Sequence, residues 1–226
     1  MRTRIGITQR VVPVPDRGER RDALDQRWYE WVDASRYVLV PLLNRVDAAS
    51  VVADAVELEL EGFILSGGND LGGLDLDVDE GAFDVAPERD QVERALLAFA
   101  RSNRMPVLGV CRGMQMLLHE SGCRIRRVEG HTGTSHRIAQ TSSDWPMVDG
   151  RVVNSYHDWG IDRSSVGPEW SVLAVSVDSV GETVEAVAHR ESRFVGVMWH
   201  PERDRRDAAD AALLDRLFAP TSGCDR

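Results

Sequence analysis

The sequence predicts an α/β protein, a single domain over residues 1–226 with a mostly parallel central sheet and helices on both of its faces. Three observations lead there. In the first half, short apolar runs alternate with helical patterns, the signature of parallel strands joined by crossover helices. The 226 residues suffice for one full-sized core, and no repeat or linker divides them. In the stretch 107–118, the pattern switches at Cys111 from an apolar run to helical spacing of Met114, Leu117 and Leu118.

Residues 4–8 read as the first strand, followed by an arginine-rich loop through Arg21. Residues 22–35 carry helical spacing, with Leu24, Trp28, Trp31 and Val32 sharing a face that belongs to the core. Residues 37–43 form a second strand, 51–60 a short helix and 62–66 a third strand. That strand ends in Ser66-Gly-Gly-Asn-Asp70. A loop runs to Pro87, and a long helix covers about residues 88–103 before the central strand. Residues 124–200 are richer in strand patterns, at 151–154, 170–177, 182–189 and 194–199. An amphipathic helix closes the pattern at 207–218.

Composition removes several classes of function. The net charge of −10 argues against a general nucleic-acid binder, which needs a basic face. No apolar run approaches a membrane span, and the first residues lack the apolar core of a signal peptide. Three cysteines without a short-spaced pair fit a reducing cytoplasm, the expected location. All 27 basic residues are arginine, which excludes lysine Schiff bases, pyridoxal-phosphate attachment and a P-loop lysine.

The chemistry centres on Cys111. Flanked by Gly109 and Gly113 at a strand-to-helix corner, it has the setting of a nucleophile elbow. The amides and positive end of the following helix favour a thiolate there. A cysteine nucleophile needs a base and a group to orient it. His200 follows an apolar strand and so falls at the carboxyl edge of the sheet, where α/β sites gather. Pro201 stiffens the turn, and Glu202 is placed to point back at the imidazole. Most Gly-Gly pairs are only turns, but this pair ends a strand expected to neighbour the elbow. The Gly68 amide is therefore expected to join that of Arg112 in an oxyanion hole.

These residues carry a resemblance. Gly109-Val-Cys-Arg-Gly-Met-Gln115 and Trp199-His-Pro-Glu202 resemble, in order and separation, the signature pair of class I glutamine amidotransferases. Ile5-Gly-Ile-Thr8, Ser66-Gly-Gly-Asn-Asp70, Arg89-Asp-Gln-Val-Glu93 and Val153-Asn-Ser-Tyr-His157 resemble the C26 peptidase branch, which includes γ-glutamyl-γ-aminobutyrate hydrolases. The resemblance implies a flavodoxin-like class I glutamine amidotransferase fold and a γ-glutamyl substrate. It also implies Cys111 as nucleophile, His200 as base and Glu202 as its orienter. Gln115, Asn154, Ser155, Tyr156 and His157 would hold the glutamyl head group.

A narrower resemblance is to the γ-glutamyl-CDP-amidate hydrolases of capsular phosphoramidate biosynthesis, through Gly6-Ile-Thr-Gln-Arg10, Asp25-Gln-Arg-Trp28 and the compact length. It implies release of cytidine diphosphoramidate and glutamate, with Arg10 and Arg27 meeting a pyrophosphate. Ser66 stands where the polyamine-pathway members usually carry proline, which weakens γ-glutamyl-γ-aminobutyrate as the substrate. A glutaminase subunit serving a synthetase partner, and a homodimer, stay open.

Two other clusters carry less. Asp75, Asp77 and Asp79 resemble the opening of a calcium loop, but Gly81 is one place late and Ala86 occupies the closing position. His119, Cys123, His131 and His136 lack the tight pair that anchors zinc, so His131 and His136 read as loop residues near the substrate entrance. The expected reaction needs no metal or other cofactor.

Overall fold

A computed structural model describes residues 1–45, 47–74, 84–177, 181–204 and 207–219. The acidic stretch Asp75–Asp79 lies outside the described residues. In chain order the first half holds β1 (Thr3–Thr8), β2 (Arg10–Val14), β3 (Glu19–Ala23), α1 (Arg27–Trp31), β4 (Tyr37–Leu42), α2 (Ala48–Glu57), β5 (Gly62–Leu65), α3 (Pro87–Ser102), β6 (Val107–Val110) and α4 (Arg112–His119). The second half holds β7 (Ile125–Arg127), β8 (Thr132–Arg137), β9 (Ala139–Gln140), β10 (Val152–Tyr156), β11 (Trp159–Ile161), β12 (Trp170–Val177), β13 (Glu182–His189), β14 (Phe194–Val197) and α5 (Ala208–Phe218).

Eight strands form the central sheet in the order β4-β1-β5-β6-β14-β13-β12-β9. The first five are parallel, and β13, β12 and β9 continue antiparallel. The mostly parallel α/β fold is thus as the sequence predicts. Strand residues alternate between two cores, following the period of two along a strand. Ile64, Leu108, Val110, Val195 and Val197 join Leu213, Leu214 and Leu217 of α5 on one face. Phe63, Leu65, Val107 and Phe194 join Val51 of α2, Leu96 of α3 and Leu117 of α4 on the other. Helices therefore cover both faces. Each fully buried aliphatic side chain contributes roughly 1.5–3 kcal/mol.

Two early segments differ from expectation. The arginine-rich stretch is not a loop but a β2–β3 hairpin. Of its strand residues only Val11 is buried, so it carries almost no apolar alternation. The helix expected over 22–35 is confined to Arg27–Trp31. Asp22 belongs instead to β3, where its carboxylate accepts from the Asn44 backbone N–H at 2.9 Å and Nδ2 at 2.8 Å. Trp28, Trp31 and Val32 are nonetheless core residues. Among the described residues no helix is long and apolar enough to cross a membrane.

Candidate active site

Three adjacent strand ends build the site. Val110 is in register with Val197, so Cys111 and the turn starting at His200 leave the sheet side by side. Leu65 is in register with Gly109, which brings Gly67 and Gly68 level with Cys111 on the other side. The Cys111 N–H donates to the Val197 carbonyl at 2.8 Å, tying the elbow to β14.

The elbow is strained. Cys111 has φ 53° and ψ −108°, a conformation side chains rarely adopt, at a cost of about 1–3 kcal/mol. The surrounding packing imposes it. A Cβ on Gly113 would stand 2.1 Å from the Leu65 carbonyl oxygen, so α4 seats on β5 only with glycine there. The Arg112 N–H lies in the first turn of α4, where no intrahelical acceptor exists. Gly68 has φ +85°, and it lines the same cavity as Cys111 and Arg112.

His200 is buried, and its imidazole interacts with the Cys111 sulfur. Its Nδ1 lies 2.7 Å from Glu202 Oε1. Burial opposes a charged imidazole, but the Cys111 sulfur and the Glu202 carboxylate outweigh it and raise His200 to about 9. The Asn154 carboxamide grips the same residue. Its Nδ2 donates to the His200 carbonyl at 2.8 Å and to Asp204 Oδ2 at 2.9 Å, while its Oδ1 accepts the His200 N–H at 3.0 Å.

Beneath the glycine loop lies a buried ionic network. Arg89 donates to the carbonyls of Ser66, Gly67 and Gly68, to Asn69 Oδ1 and to Glu93. The Arg112 side chain pairs with Asp90 and Glu93. Glu93 also accepts from Thr8 Oγ1 at 2.8 Å. Burial and the neighbouring Arg112 push Arg89 down to about 10, still protonated at neutral pH. Paired charges of this kind fix geometry more than they add stability.

Over Cys111 opens a cavity of about 310 Å³ whose walls include Gly68, Arg112, Gln115, Tyr156, His157 and His200. A second of about 300 Å³ adjoins it, lined by Trp28, Gly68, His200 and Glu202 among others. Arg10 and Arg203 line both. Not every residue expected to hold the head group faces these cavities. The polar atoms of Asn154 are taken up by the His200 backbone and Asp204, and Ser155 is fully buried with its hydroxyl donating to the His131 carbonyl at 2.5 Å. Arg27 is exposed on α1 and lines neither cavity, because the helix turns only its tryptophans inward. His131 is in the connection that leads into β8, as expected of a loop residue, but it is buried, and His136 lies on β8.

Arg203 went unforeseen, although it directly follows Trp199-His-Pro-Glu202. Its guanidinium lies 4.1 Å from the Tyr156 ring centroid, and that ring meets His200 edge-on at 5.8 Å.

A buried thiol beside an imidazole, with the imidazole held by a carboxylate and two stretches of backbone N–H nearby, is equipped for acyl transfer. Known proteins similar to this chain include γ-glutamyl hydrolases and glutamine amidotransferases. Over 203 residues the chain is 28% identical to γ-glutamyl-CDP-amidate hydrolase of Campylobacter jejuni, covering 88% of this chain and 90% of that one. It is 29% identical over 158 residues to γ-glutamyl-γ-aminobutyrate hydrolase of Escherichia coli O157:H7, covering 60% and 61%. The fold is shared with a glutamine amidotransferase of Thermotoga maritima at a TM-score of 0.63 and 14% identity, covering 97% of this chain and 100% of that one. The Peptidase C26 family profile matches residues 5–202, and the chain belongs to that family.

Proposed function

We propose that this protein is a cysteine-dependent hydrolase of small γ-glutamyl amides. The observation that carries the reading is the Cys111–His200–Glu202 arrangement, in which Cys111 and His200 line one cavity and follow two strands paired in register. In this reading the Cys111 thiolate attacks the γ-carbonyl carbon. The resulting oxyanion accepts from the Gly68 and Arg112 amides. Protonated His200 gives its proton to the leaving nitrogen as the C–N bond breaks, leaving a γ-glutamyl thioester. Neutral His200 then takes a proton from water, which hydrolyses the thioester to glutamate and free thiol. Glu202 holds the imidazole through Nδ1 throughout.

For the substrate we propose γ-glutamyl-CDP-amidate, which yields cytidine diphosphoramidate and glutamate. Similarity to the Campylobacter hydrolase along nearly the full length supports it, as do two arginines, Arg10 and Arg203, at the cavity walls. Arginine pairs with pyrophosphate oxygens in its planar, bidentate geometry.

The test is glutamate release by the purified chain from γ-glutamyl-CDP-amidate, γ-glutamyl-γ-aminobutyrate and glutamine in parallel, with Cys111→Ala as control. A kcat/KM preference of at least about tenfold for the nucleotide amide, roughly one charge-assisted contact, is expected. Preference for γ-glutamyl-γ-aminobutyrate would keep the hydrolase reading and overturn the nucleotide substrate. Inactivity on all three would favour a glutaminase subunit that works with a synthetase partner.

A further inference from the structure

Three of the six histidines of this chain point at one buried carboxylate. His136 Nε2 lies 3.1 Å, His157 Nε2 3.8 Å and His131 Nδ1 3.9 Å from Glu185 Oε1. One donor atom each from His131, His157 and Glu185 fall within 4.8 Å of one another, and all three residues are buried. The rings of His131 and His136 meet at 4.9 Å between centroids, and those of His131 and His157 at 4.8 Å.

The carboxylate calls for a cation. Glu185 is fully buried, and such a charge is costly unless neutralised. Its Oε1 accepts from Ser176 Oγ at 2.7 Å, while Oε2 has no hydrogen-bond partner among the described residues. Its ion-pair partners among those residues are all histidines, never arginine.

His157 is prepared as a donor. Its Nδ1 lies 3.0 Å from the Trp159 carbonyl oxygen, a contact that places the proton on Nδ1 and leaves the Nε2 lone pair facing the cluster. Such a carbonyl contact is the usual outer support of a metal-bound imidazole. Neutral imidazole is the ligating form.

We infer that His131, His157 and Glu185, with His136 as fourth donor, form a binding site for a divalent ion of the zinc class. Imidazole nitrogens and one carboxylate suit zinc, and four protein donors leave no open position, so the role is structural. Zinc bonds of about 2.1 Å set tetrahedral donors roughly 3.4 Å apart. The donor atoms of His131, His157 and Glu185 close by up to about 1.4 Å to reach that, and His136 Nε2 already lies 3.1 Å from Glu185 Oε1. His131 leads into β8, His157 follows β10 and Glu185 sits on β13. The ion thus ties the two-stranded β8–β10 ribbon to the central sheet, beside the wall formed by Tyr156 and His157. The reaction proposed above proceeds without it.

The test uses the full chain carrying Cys111→Ala, so that zinc cannot settle on that thiol. After removal of metal with a chelator, Zn2+ is titrated against a competing dye, and Co2+ is added separately for its absorption spectrum. About one equivalent of Zn2+, an intense four-coordinate Co2+ band, and a Tm rise of about 5–10 °C at 100 times the Kd are expected. Glu185→Gln and His157→Gln in the same background should each weaken binding by at least about 10–100-fold. Binding of unchanged strength in both variants would place the metal elsewhere and overturn the site. So would the absence of any saturable binding, which leaves a histidinium–Glu185 pair only. Should the variants not fold, the Co2+ spectrum of the parent decides, since a weak six-coordinate band also overturns the proposal. None of these readouts depends on glutamate release.

Discussion

Asn154 holds His200 at both ends of its backbone, donating to the carbonyl at 2.8 Å and accepting the N–H at 3.0 Å. The sequence motif containing Asn154 suggested contact with substrate, but this geometry makes it a positioning residue for the imidazole. The two roles separate kinetically. Asn154→Ala should lower kcat about 10–100-fold through misplacement of His200, with KM changed less than about threefold. A rise in KM at unchanged kcat would return Asn154 to the substrate.

The backbone of Cys111 makes a second prediction. At an ordinary site glycine is less stable than alanine by roughly 0.5–1 kcal/mol. With φ at 53°, Cys111 should reverse that order. Cys111→Gly and Cys111→Ala lose the same sulfur, yet the glycine variant should be more stable by about 1 kcal/mol, or about 2–4 °C in Tm. Both should be inactive. Equal or inverted melting temperatures would show that the elbow stores no strain.

Arg89 reaches the carbonyls of Ser66, Gly67 and Gly68 and the Glu93 carboxylate together, which a single ammonium cannot do. Arg89→Met leaves buried acceptors and part of the Glu93 charge unpaired. We expect a loss on the order of 3–5 kcal/mol, seen as a Tm drop on the order of 10 °C. Arg89→Lys should recover part of the stability but not the loop geometry, so kcat should stay reduced more than KM changes. Full kinetic recovery in the lysine variant would sink the idea that Arg89 sets the Gly68 amide.

How much of this was legible beforehand depends on the range of the forces involved. The parallel strands and the elbow were readable because local rules write them: a continuous apolar run at 107–110, helical spacing at Met114 and Leu117, glycine where α4 meets β5. The β2–β3 hairpin was not, because contacts from distant chain hold it. Asn69 clamps Val11 by accepting its N–H and donating to its carbonyl, both at 2.8 Å. Glu185 was equally hidden. An acid inside the buried run 183–188 was the one signal, and the histidines facing it come from β8 and from the ends of β8 and β10. Arg27 was misjudged for the converse reason: nearness in sequence to Trp28 says nothing about which side of a helix faces the cavity.

The raised value of His200 sets the pH response. Its ordinary value of 6.5 moves to about 9 in the folded chain, because Cys111 and Glu202 overcome the effect of burial. A group raised on folding contributes stability that is complete below its unfolded value, here about 6.5, and fades as pH rises through about 9. In the proposed reaction the same proton goes to the leaving nitrogen, so kcat/KM should decline above about pH 9. Glu202→Gln removes one of the groups that raise His200 and should bring that alkaline limb toward neutral pH. Imidazole titration by NMR on the two proteins checks the assignment, and an alkaline limb unmoved by Glu202→Gln would remove His200 as its source.

Arg10 and Arg27 entered as a pair of candidate pyrophosphate contacts, and the structure separates them. Arg10 lines both cavities and pairs with Asp84 at 3.1 Å, whereas Arg27 is exposed and lines neither. Arg203, which stacks over the Tyr156 ring and lines both cavities, is the better second partner. Charge-assisted hydrogen bonds of about 1.5–3 kcal/mol correspond to roughly 10–100-fold in binding. Arg10→Ala should therefore raise KM for γ-glutamyl-CDP-amidate by about that factor while leaving hydrolysis of glutamine within about twofold. Arg203→Ala should raise the same KM and also lower kcat, because its Nε lies 3.9 Å from Glu202 Oε1. Arg27→Ala should change neither. Parallel losses on glutamine and on the nucleotide amide in Arg10→Ala would mean that Arg10 shapes the glycine loop rather than reading the phosphates, a reading its 3.3 Å approach to the Cβ direction of Gly68 makes worth testing.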